Sequence, residues 1–167
     1  TQLSNTSGVP IEIANSGKVD GKRYLSETIG CTNKWSICET PNGLYFIDSI
    51  TRGLYLFNGK FDNLSDRLGF RSWINSNLDT TAIWNLKDFK GFITHYDRNN
   101  GDVYFVSKDE CLAFSEPLGQ FSSFYSYENT PYMTNVGNKF LQIRQSNNLT
   151  NDYYQVYLHG GGDYNFY

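Results

Sequence analysis

Four acidic residues stand at repeated positions in this 167-residue chain: Asp48, Asp66, Asp97 and Glu116. Two carboxylates facing each other about 5–10 Å apart across a cleft can hydrolyse a glycosidic bond, and these four are the acids to test for that chemistry. Asp66 and Glu116 lie 116 − 66 = 50 residues apart in similar phrases. A repeated position normally marks a repeated turn, however, and Asp48 and Asp97 each close an apolar run. There an aspartate accepts hydrogen bonds from backbone N–H groups two or three residues on, so conformation accounts for it without catalysis.

The remaining reactive side chains are sparse. His95 and His159 form no H-x-x-x-H or H-E-x-x-H spacing, so a metal site needs assembly from distant segments. His95, in "FITHYD", reads as a hydrogen-bonded structural histidine. "DRNNGD", residues 97–102, alternates oxygen ligands around a glycine as a calcium loop does, but Lys108 occupies the position of the closing glutamate. A tight hairpin turn is the better reading. Cys31, Cys38 and Cys111 are odd in number and match no close zinc pair, so they are expected to be buried or idle thiols, with a disulfide as the alternative. The sequons at Asn5, Asn63 and Asn148 arise readily in an Asn-rich chain. No phosphate loop, nucleophile elbow or telling Cys/His pair is present, so no catalytic residue, cofactor or metal is expected.

The elements that position these residues follow from composition and repetition. Aromatics make up 17% of the chain, with 13 Tyr and 12 Phe, beside abundant Asn, Ser and Gly. That balance favours strands and turns. In "GLYFIDSITRGLYLFNG", residues 43–59, two apolar runs flank a polar break, which is a hairpin pattern. The pattern returns in "GFITHYDRNNGDVYFV" with Asp48 against Asp97 and Tyr55 against Tyr104, both at an offset of 49 residues. "LSDRLG" then matches "FSEPLG" at an offset of 114 − 64 = 50.

Units of this length built of strands predict an all-β, antiparallel fold of blade-like repeats, an incomplete or partial β-propeller, with a β-sandwich as the alternative. The expected division is an N-terminal segment 1–32, repeats over 33–80 and 81–130, and a partial third repeat with a C-terminal strand over 131–167. Phe46, Leu54, Leu56, Phe92, Val103 and Phe105 are the expected buried positions, and Gly53 and Gly101 the expected left-handed turn residues. Asn135 to Asn138 reads as another hairpin turn and "YYQVYLHGGG" as a last strand. "LSDRLGFRSWINSN" allows a short helix with Ser65 as its cap. Room for about three blades, and Thr1 in place of an initiator methionine, lead us to expect a piece of a longer polypeptide.

Charge narrows the partners. The formal net charge is −3 with a pI near 5.3, and no Lys/Arg cluster tracks a phosphate backbone, so nucleic acid is not an expected partner. No apolar run approaches a membrane span. "QFSSFYSYENTPYM", residues 120–133, interleaves aromatics with polar side chains, making Phe121, Phe124, Tyr125, Tyr127 and Tyr132 the candidate interaction surface. Such rings stack on sugars or anchor proteins; alternatively, Phe121, Phe124 and Tyr132 face a core.

"NKWSICETPNGLYFIDSITRGLYLFNGKFDNLSDRLGFRSWIN", followed by "FKGFITHYDRNNGDVYFVSKDECLAFSEPLGQFSSFYSYENTPYMT", resembles the large tail stabilisation or muzzle proteins of crAss-like bacteriophages. The resemblance covers roughly residues 33–145 and leaves 146–167 without a counterpart. It implies a structural role in the virion, within a long polypeptide at the distal part of a short tail, in several copies around the tail axis and against other tail proteins. It carries over no catalytic residue. Host attachment through a surface glycan is the alternative class, as a carbohydrate-binding module. A polysaccharide-degrading enzyme using Asp48, Asp66, Asp97 or Glu116 is the third.

Overall fold

A computed structural model of the chain describes residues 2–4, 10–12, 24–77, 92–107, 110–125, 127, 132–145 and 154–159. Strands β1 (Gln2–Ser4) and β2 (Pro10–Glu12) form a two-stranded antiparallel pair. The first sheet contains β3 (Cys38–Thr40), β4 (Gly43–Asp48), β5 (Gly53–Phe57) and β6 (Phe61–Asn63), preceded by a single 3-10 turn at Lys34–Ser36. Two short helices follow it, α1 (Leu64–Arg67) and α2 (Arg71–Asn77). The middle sheet contains β7 (Ile93–Asp97), β8 (Asp102–Val106), β9 (Cys111–Ser115) and β10 (Gln120–Tyr125). The third contains β11 (Tyr132–Val136), β12 (Lys139–Gln145) and β13 (Tyr154–Leu158). In each sheet, strands adjacent in sequence are adjacent in space and antiparallel. The fold is all-β, as the composition predicts, and no closed barrel or ring is formed among the described residues.

Turn chemistry shapes the hairpins. Asp48 Oδ1 accepts the N–H groups of Ile50 and Thr51 at 2.8 and 3.3 Å, and Asp97 Oδ1 accepts that of Asn99 at 2.9 Å, as expected of turn-opening aspartates. Gly101 and Gly137 take positive φ in the β7–β8 and β11–β12 turns. In the β4–β5 turn the left-handed residue is Arg52, at φ 50°, in place of the expected Gly53. Gly53 is required for space instead, because a Cβ there would lie 2.5 Å from the Tyr55 ring. The α1 cap also differs from expectation. Asn63 Oδ1 accepts the Asp66 N–H at 3.1 Å, while Ser65 is buried and accepts the Leu54 N–H at 3.3 Å.

Alternation along the strands creates three stacked layers. On β4 and β5, Tyr45, Ile47 and Leu54 face the middle sheet, where they join Val103, Phe105 and Phe114 in one core. Leu64, Ile74 and Phe92 close that core, and Leu56 packs half-buried at its border. Phe46 is buried on the opposite face of the first sheet, stacked on Tyr55 at 5.5 Å. The other face of the middle sheet presents Tyr104, Val106, Cys111 and Ala113 to Met133 and Phe140 of the third sheet. Strands β8 and β9 are therefore buried on both faces, while β10 at the edge of the sheet is largely exposed. The first strands come together, β3 against β7 and β7 against β11. Cys31, Cys38 and Cys111 are all free thiols, and burial pushes Cys38 up to about 12 and raises Cys111 as well. Among the described residues no helix is long and apolar enough to cross a membrane.

The 50-residue repeat is local rather than global. Asp48 ends β4, the second strand of its sheet, whereas Asp97 ends β7, the first strand of its own. "LSDRLG" forms α1 beyond the first sheet, while "FSEPLG" crosses from β9 to β10. Both segments close on a left-handed glycine, Gly69 and Gly119, so turn chemistry repeats while the sheet phase slips by one strand. In a meander every hairpin is locally alike, which is why the slip costs nothing locally.

Candidate interaction site

The five candidate aromatics fall into three groups. A bulge between Phe121 and Ser123 puts Phe121 and Phe124 on one side of β10, over the helical segment. There Phe70 lies 4.1 Å from Phe121 and 6.1 Å from Phe124, and Trp73 is 6.1 Å from Phe124, ring centre to ring centre. Phe121 packs onto the first core, while Phe124 stays 54% exposed. Tyr125 stacks on Tyr127 at 4.9 Å, and Tyr104 meets the first edge-on and the second at a tilt, next to the second core. The Tyr127 hydroxyl is hydrogen-bonded to His159 Nε2. Tyr132 stands exposed at the start of β11 with His95 against its ring. The five side chains thus serve three packing environments rather than one flat stacking platform.

The four acids are each engaged by the protein's own donors. Besides its turn, Asp48 accepts the Gly30 N–H through Oδ2 at 3.1 Å, tying the segment before the first sheet to β4. Asp97 Oδ2 accepts the Asn100 amide at 2.8 Å. Asp66 pairs with Arg71 on the surface, and that hydrogen bond holds its carboxyl below the usual range. Glu116 differs from the other three because it spans two sheets. Its Oε1 accepts the Thr40 hydroxyl at 2.5 Å and the Tyr45 hydroxyl at 3.0 Å. Burial foremost, with the Glu116 charge second, raises the Tyr45 phenol, so that group stays a neutral donor. Among the described residues no three His, Cys, Asp or Glu side chains converge as a metal ion requires.

His95 is a second inter-sheet contact. Its Nε2 accepts the Met133 N–H of β11 at 3.3 Å, a role open only to the neutral ring. Burial lowers its pKa from 6.5 to about 4. Between those values the unfolded chain binds a proton that the folded chain does not. Stability contributed by His95 is therefore complete above about pH 6.5 and is lost as pH falls toward 4, by about 1–2 kcal/mol once the ring's partial exposure is allowed for. Urea titrations at pH 7 and pH 4.5 check this, with His95→Gln expected to flatten the difference; an unchanged slope in that variant assigns the loss elsewhere.

One surface escaped the sequence reading. Residues paired across strands share a face, so Met133 and Gln142, both buried, point to the middle sheet, and the neighbouring pairs point away. Ile143 lies opposite Val156 and Leu141 opposite Leu158 on that outward face, with Val136 farther along. Val136, Val156 and Leu158 are 56%, 64% and 42% exposed. The signal was available as apolar residues at every second position of β12 and β13, but only the register shows that they align.

The sequence matches the family described as Crassvirus muzzle protein over residues 1–146. It is 47% identical to the "Muzzle protein" of Bacteroides phage crAss001 over 166 residues, which is 99% of this chain and 12% of that protein. The alignment reaches into residues 146–167, for which the resemblance offered no counterpart. The chain thus spans about an eighth of the length of the curated relative it matches.

Proposed function

Because the chain belongs to the Crassvirus muzzle protein family, we propose that it is a non-enzymatic structural segment of a phage tail, working through contacts with other virion tail proteins. The observation that carries this reading is how the polar and aromatic side chains are spent. Glu116, His95 and Tyr104 bind the chain to itself, holding sheet against sheet, and the turn aspartates close their own hairpins. Three layers meeting at their first strands, β3, β7 and β11, favour blades of a partial propeller over a two-sheet sandwich. Each blade buries on its neighbour the face it cannot cover alone. Several copies arranged around the tail axis, with Phe124 and Tyr132 among the exposed contact residues, complete the proposal. Contact of this assembly with the host surface is its furthest extension.

Immunogold labelling of intact phage particles with antibodies raised against this chain tests the reading, with capsid and tail scored separately. Gold confined to the tail is the expected result. Antigen missing from purified particles, intact and denatured, would overturn it.

A further inference from the structure

We propose that the outward face of the third sheet is a docking face for a further antiparallel sheet of the same polypeptide. The inference rests on the blade reading above and specifies where the next unit sits. Antiparallel sheets commonly keep one face apolar and let the other meet water. The third sheet departs from that rule, because Met133 and Phe140 pack against the middle sheet from its inward face while Leu141, Ile143, Val156 and Leu158 line its outward one. Lys139 is the sole charged residue at the outward register positions of its three strands.

Strands β8 and β9 of the middle sheet carry apolar side chains on both faces, and there the first sheet covers one face and the third sheet the other. Consecutive sheets of this chain stack through their first strands, β3 on β7 and β7 on β11. Continuing that geometry places the next sheet on the outward face, with its first strand against β11. The relative matched here is long enough for such a unit, since the present chain aligns with 12% of it. A sheet close in sequence also closes a shorter loop than a distant one, at a lower entropic cost. A second copy of the chain is the competing occupant, and the test separates the two.

The experiment uses the longest natural polypeptide that contains this sequence, with Cys31→Ser removing the half-buried thiol and the buried Cys38 and Cys111 retained. Val156→Cys and Leu158→Cys report on the face, and Ile50→Cys, in the exposed β4–β5 turn, is the reference. Both face cysteines are expected to react with a maleimide at least about tenfold more slowly than the reference, in single chains as well as in particles. Two small substitutions at separate positions guard against one of them disturbing β13. Labelling of either at the reference rate overturns the proposal. Protection seen in particles but lost in dissociated single chains also overturns it, because the cover is then another chain. Absence of the protein from virions defeats the tail reading alone, whereas freely labelled Val156→Cys in a polypeptide found in the tail defeats the docking face alone.

Discussion

Replacing Phe105 with alanine is expected to lower the unfolding free energy by about 3–5 kcal/mol, the range for removing a large buried aromatic. Phe105 is fully buried in the seam between the first and middle sheets, with the Tyr45 ring edge-on at 6.3 Å. Its backbone is paired on both sides, to Thr94 of β7 and to Leu112 of β9. The strand therefore cannot move in to fill the space, and the cavity term adds to the lost transfer energy. Phe124→Ala removes the same ring from a half-open site and is expected to cost about 1 kcal/mol or less. Urea unfolding of both variants measures the contrast. A loss below about 1 kcal/mol for Phe105→Ala would mean that the two sheets are not packed into one cooperative unit.

That seam was largely legible in the sequence. Leu54, Val103 and Phe105 follow from alternation, because a side chain's face on a strand depends only on its position along it. The turn aspartates were legible for the same local reason. What local chemistry cannot fix is the position of a hairpin within a meander. The matching hairpins Asp48–Gly53 and Asp97–Asp102 therefore occupy different strands of their sheets.

The other differences are tertiary in origin. Ser65 has the chemistry of a helix cap, yet it is buried under the Leu54 N–H, and Asn63 takes the cap. Arg52 adopts the left-handed conformation, and Gly53 is needed instead for its lack of a side chain under Tyr55. Alternation already separates Phe124 from Tyr125, and the bulge in β10, which alternation does not show, puts Phe121 beside Phe124 instead of Tyr125. The outward face of the third sheet requires the register of β12 against β13 before its two apolar rows line up.

Glu116→Ala is expected to destabilise the chain by about 3 kcal/mol, and Glu116→Gln by much less. Hydrogen bonds to a charged group contribute about 1.5–3 kcal/mol each, and a buried donor left without an acceptor costs its full desolvation. Glu116 Oε1 receives two such bonds, from Thr40 on β3 and from Tyr45 on β4, while its own N–H donates to Gly101 O at 2.9 Å. The Tyr45 side chain is 1% exposed, so truncating Glu116 leaves its hydroxyl without the acceptor it has in the folded chain. Glutamine keeps an amide oxygen at that position and so separates loss of the acceptor from loss of charge. A double-mutant cycle with Tyr45→Phe isolates the bond itself. Equal losses from alanine and glutamine would assign the stabilisation to the charge instead. The alkaline limb gives an independent check on sign. The folded phenol is raised above its unfolded value, so its stability contribution is full below about pH 10 and is lost as pH rises beyond it. Burial is the leading cause of that raise, so Glu116→Ala is expected to weaken the alkaline loss without abolishing it.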